Sequence, residues 1–110
     1  MATYTISFRI AHDPTFSDRW DSVVRAIRAQ ADGGKTWEET TSLLVLRSSK
    51  AADDLARDIY MTSSFDASKD KLLVVNASNG THATRGQIDN SARLAELFAS
   101  TNALGRGIFG

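Results

Sequence analysis

The order of apolar patterns along the chain predicts an α+β domain built strand, helix, strand, strand, helix, strand. Its sheet is expected to be antiparallel, with both helices on one face. Three observations carry this reading. Thr3 to Ile10 alternates with period two, Tyr4, Ile6, Phe8 and Ile10 on one side and Thr3, Thr5, Ser7 and Arg9 on the other, as a half-buried strand does. Two later stretches repeat apolar residues at helical spacing: Trp20, Val23, Val24, Ile27 and Ala31, then Ala52, Leu55, Ala56 and Ile59. Leu43–Leu46 and Leu72–Val75 are short runs apolar on both sides, as expected of strands covered on both faces.

Each boundary has a local cause. His12-Asp13-Pro14 breaks the first strand, because proline cannot donate to a ladder. Thr15 or Ser17 is placed to cap the first helix, with Asp18 near the positive end of its dipole. Asp32-Gly33-Gly34 is expected to close it, since glycine readily takes the left-handed conformation. Thr36 to Thr40 reads as an edge strand or hairpin arm. Ser48 or Ser49 is expected to cap the second helix, with Asp53 and Asp54 in its first turn. Residues 63–70 form a polar connection. Asn79-Gly80 is a two-residue hairpin signal, which makes Thr81 to Ile88 a candidate fifth strand. A last helix, from Ile88 or Asp89 to Ser100, shows Leu94, Leu97 and Phe98, and a glycine-rich tail follows. The chain therefore divides into residues 1–88, the βαββαβ domain with its fifth strand, and residues 89–110, the C-terminal helix and tail.

With 110 residues there is room for one domain with a core of its own. There is no cysteine, which excludes a disulfide framework, a thiolate metal site and a cysteine nucleophile. The first residues lack the basic-then-apolar pattern of a signal peptide, and no stretch approaches a membrane span. A cytoplasmic location is expected, with no membrane partner. Lysine and arginine number 13 and aspartate and glutamate 13, a balance that argues against non-specific binding to nucleic acid. Asn76 and Asn79 sit in glycosylation-type triplets that have no meaning without a secretory route.

The strand phrases Tyr4–Phe8 and Asp70–Val75, with the helix, strand pair and helix between them, resemble the ferredoxin-fold proteins related to the second CRISPR-associated adaptation subunit. The VapD and SinR-annotated proteins stand beside that subunit. The resemblance spans residues 3 to about 88. It implies a ferredoxin-like fold and a homodimer packed through sheet faces or edges, in which a trailing strand joins the partner's sheet. Some such relatives cut RNA or DNA, and some act in toxin–antitoxin systems. Members with metal-dependent nuclease activity are expected to carry an aspartate at the end of the first strand. Arg9 holds that place here, and Asp13 lies four residues on, in the loop. Reversing the charge there removes an oxygen ligand that magnesium needs.

Two functional readings follow. In the first, the chain is a homodimeric, non-catalytic interaction or regulatory module, of the toxin–antitoxin or CRISPR-associated kind, without cofactor or metal. It binds itself and, in some settings, another protein. Its interface is the sheet face opposite the helices, with or without the segment after Asn79, where Thr5, Ser7 and Arg9 lie between the apolar runs. The last helix either folds back over that face or swaps across to the partner. Arg9 there either cradles a phosphate or pairs with a partner's carboxylate, and the enrichment of arginine at interfaces favours the second. The alternative is an endoribonuclease with displaced catalytic residues, drawn from His12, Asp13, His82 and Arg85, with RNA as its substrate. The plainer account of His12-Asp13 is a polar loop that turns the chain before Pro14.

The remaining motifs carry less. Glu38 and Glu39, as neighbours on a strand, point opposite ways and suit a solvated edge that resists aggregation. Trp20 belongs to the first helix's stripe, whereas Trp37 is open to either packing or stacking on a base. Residues 105–110 spell G-x-G-x-x-G, yet no strand precedes and no helix follows, so they read as a flexible or docking tail.

Overall fold

A computed structural model describes residues 1–99. Eight elements carry the chain: β1 (Ala2–Arg9), α1 (Phe16–Arg28), a short 3-10 turn (Asp32–Gly34), β2 (Thr36–Thr40), β3 (Leu43–Ser48), α2 (Ala52–Met61), β4 (Lys71–Asn76) and β5 (His82–Gly86). Residues 91–99 add a third helix, α3. The strands form one antiparallel sheet in the order β2-β3-β1-β4-β5. The fold is thus α+β. Among the described residues no helix is long and apolar enough to cross a membrane.

Register explains which side chains meet. Tyr4 stands between Leu46 and Asn76, Ile6 between Leu44 and Val74, and Phe8 opposite Leu72. All of these are buried, under Val23, Val24 and Ile27 of α1 and Leu55, Ala56 and Ile59 of α2. The period-two and helical stripes therefore converge on one core on one side of the sheet. The other side carries Thr3, Thr5, Ser7 and Arg9 of β1, flanked by Leu43, Val45 and Arg47 of β3 and Lys71, Leu73 and Val75 of β4. Its four aliphatic side chains are only half-buried.

Several ends differ from the sequence reading. The N-cap of α1 is Thr15, but its hydroxyl donates to Asp13 Oδ1 at 2.7 Å and makes no cap hydrogen bond. That helix stops at Arg28 with Ala29 as C-cap, earlier than the glycines. Gly33 and Gly34, at φ 78° and 72°, instead turn the chain into β2. Neither Ser48 nor Ser49 caps α2, whose N-cap is Ala51. Ser48 ends β3, buried, and accepts the Lys50 N–H at 3.1 Å. Glu38 is not a solvated edge residue: it takes a forked ion pair from Arg28, 2.8 Å at the closest, and so ties β2 to α1. Glu39 is exposed.

Candidate functional site

The end of β1 and the start of β4 emerge at the same edge of the sheet, since Arg9 pairs with Lys71. One residue before β4, Asp70 is fully buried and accepts hydrogen bonds from the Ala11 N–H at 2.9 Å and the Asp66 N–H at 2.8 Å. Its carboxylate also takes an ion pair from Arg19. The same guanidinium donates to the Ala11 carbonyl at 2.9 Å, to Thr15 Oγ1 at 2.9 Å and to Asp13 Oδ2 at 3.2 Å. Lys69 closes the ring on Asp13. Asp70 above all, together with Asp13, holds the Arg19 proton more firmly than usual. Asp13 is held well below the ordinary carboxylate range, chiefly by the Lys69 ammonium and then by Thr15.

Every polar atom buried in this network has a partner. A fully satisfied network of this kind fixes the β1–α1 loop rather than offering a group to a substrate. Sequence reasoning singled out Asp13 but missed Arg19, Lys69 and Asp70. Arg19 occupies a position on α1 that the apolar stripe does not use, and nothing in its spacing pairs it with a residue fifty-one positions away.

The candidate acid–base groups lie apart. His12 stacks on Phe16, with ring centroids 4.3 Å apart, in the loop after β1. His82 pairs in register with Val75 on the open face and stacks on Phe98 of α3 at 4.2 Å. Arg85 points to the helix side and pairs with Asp53 of α2 at 3.0 Å. His82 and Arg85 thus lie on opposite faces of β5, and neither reaches His12 and Asp13. Among the described residues no three His, Asp or Glu side chains are grouped to hold a metal ion.

The interface candidates do share a surface. Thr5 sits between Val45 and Val75, and Ser7 between Leu43 and Leu73, all on the open face. Arg9 is exposed at the end of that face. The last helix covers part of it. Ile88 and Leu94 roof a cavity floored by Ser7, Leu73 and Thr84, and Phe98 lies against His82. The β2–β3 half stays open, with Trp37 in register with Val45 and 43% exposed. Trp20, by contrast, packs on the core and donates its indole N–H to Ser42 Oγ at 3.2 Å. The G-x-G-x-x-G tail lies outside the described residues.

No family model, curated protein or solved structure matches the chain.

Proposed function

We propose that the chain is a small ferredoxin-like module that acts without catalysis, as a homodimeric interaction or regulatory unit. The strand order supports the fold reading: each of two strand–helix–strand units contributes a central and an outer strand, with β1 beside β3 and β5 added beyond β4. Its likeness to CRISPR-associated and toxin–antitoxin proteins rests on the order of elements and on the strand phrases Tyr4–Phe8 and Asp70–Val75.

The observation that carries the functional reading is the composition of the open face. Leu43, Val45, Leu73 and Val75 surround Thr5 and Ser7, and Ile88 with α3 covers the β4–β5 side as far as Ser7. Completing the burial of such side chains is worth up to about 1.5–3 kcal/mol each for a fully exposed one, less for these half-buried ones. A second copy about a two-fold axis, centred on Leu43 with α3 alongside, uses the same patch twice. Arg9, exposed and without an ion pair among the described residues, stands at the rim to meet a partner's carboxylate.

Light scattering at low micromolar concentration tests the reading. The expected species has twice the 12.0 kDa of the chain, and Leu43→Glu returns it to 12.0 kDa with its cooperative melt intact. A wild-type chain at 12.0 kDa removes the dimer. Labelled RNA incubated with and without magnesium is expected to stay intact. Cutting that disappears with His12→Ala establishes the ribonuclease in its place.

A further inference from the structure

We infer that the corner of the open face between β2 and the start of β1 docks an acidic segment of another protein, one that places an aliphatic or aromatic anchor between carboxylates. A cavity of about 610 Å³ lies there, lined by Met1, Thr3, Lys35, Trp37, Val45 and Arg47 among others. It is at the opposite end of β1 from Arg9 and adjoins the surface assigned to the dimer at Val45.

The distribution of charge points to the sign of the partner. Around the helices most cations are matched, Arg19 with Asp70, Arg28 with Glu38, Lys50 with Asp58, Arg57 with Asp54 and Arg85 with Asp53, with exposed Arg25 of α1 the exception. Lys35 and Arg47 are exposed and make no ion pair among the described residues. The one carboxylate at the cavity, Asp32, is turned to the Ser49 N–H at 2.8 Å. In a chain whose net charge is zero, this corner is locally positive.

Its walls specify the rest. Trp37 is 43% exposed, and its indole N–H has no partner among the described residues. Beside Val45 and Met1 it forms an apolar seat, and a tryptophan with flanking cations is the composition of an interface anchor point. A second copy fits poorly, because a two-fold contact here sets Lys35 and Arg47 against the same cations. Single-stranded nucleic acid fits less well than a peptide, since two cations neutralise few phosphates.

Selection from a displayed library of random short peptides, on the immobilised full chain, tests this. The recovered peptides are expected to be rich in Asp and Glu around a Leu, Ile or Phe. In fluorescence anisotropy they are expected to bind the Lys35→Glu/Arg47→Glu variant about thirtyfold or more weakly, as like-charge contacts demand. Lysine-for-glutamate versions of the same peptides should recover that variant's binding. Peptides with no acidic excess, or equal binding to wild type and variant, overturn the inference. So does a single-stranded RNA that binds this corner in their place. If the double variant instead shifts the mass in light scattering, the corner belongs to the dimer interface and the acidic partner is refuted. The dimer stands or falls separately, on Leu43→Glu.

Discussion

Arg19 and Asp70, fifty-one residues apart in sequence, form a buried ion pair that joins the first turn of α1 to the residue just before β4. The pair is satisfied on both sides, by three further acceptors for Arg19 and two backbone donors for Asp70. Removing one member strands the other charge inside the protein. Arg19→Met or Asp70→Ala is therefore expected to cost about 3–5 kcal/mol, measured by denaturant unfolding. The Arg19→Met/Asp70→Leu pair should cost less than the two single changes summed. Additive losses would show that the two side chains do not act as a unit.

Acid should loosen the same region. Asp13 and Asp66 are both held below the ordinary carboxylate value of 3.8, Asp13 chiefly by Lys69 and Asp66 chiefly by Ser68. A carboxylate whose folded value is depressed contributes stability above its unfolded value and loses it as pH falls toward the folded one. Stability is thus expected to be flat from neutrality down to about pH 4 and to fall below it. The Asp13→Asn variant should be less stable at pH 6 and show a shallower fall below pH 4 than wild type. An unchanged acid slope removes Asp13 from this account.

Gly86 marks where β5 leaves the sheet. At φ 95° a side chain is strained, and a Cβ there would run into the Asp70 carbonyl and lie 2.8 Å from the Phe65 ring. That carbonyl is also the acceptor for the Gln87 N–H at 2.8 Å. Gly86→Ala should destabilise by about 1–3 kcal/mol, whereas Gly34→Ala, strained but with open space around it, should cost less. Equal melting temperatures for the two variants would contradict the steric part of this argument.

What the sequence showed follows from which contacts are periodic. The stripes of β1, α1 and α2 are local repeats, so Ile6, Ile27 and Leu55 were legible as core, and each is completely buried. Val24→Asp and Leu55→Asp should accordingly abolish the cooperative melt, since an unpaired buried charge rivals the whole stability of a small domain. Glu39→Ala should leave it unchanged, because Glu39 is exposed. The doubly apolar runs of β3 and β4 likewise announced a second apolar face. Arg28–Glu38 and Arg19–Asp70 were not legible, because each joins polar residues across a loop or a whole subdomain. Nor did spacing show that His82 and Arg85 fall on opposite faces of β5: that follows only once the strand register is known.

The His82–Phe98 stack is the point at which α3 holds the open face, and it sets how independent that helix is. Leu94 and Phe98 are half-buried, Leu97 is 59% exposed, and none of α3 enters the main core. Lys71 adds ties to the Gln87 carbonyl and to Asp89 at the start of the connection. Losing the cover of two half-buried side chains amounts to about 1–3 kcal/mol. A chain truncated after Asn90 is therefore expected to keep a cooperative melt, lowered by several degrees and no more. It should also bind more of an apolar dye than wild type, as Leu73 and Thr84 come open. His82→Ala should reproduce part of the lowering in the full chain and almost none in the truncated one, since its stacking partner is then gone. Loss of folding on truncation would make α3 part of the core rather than a cover on the face.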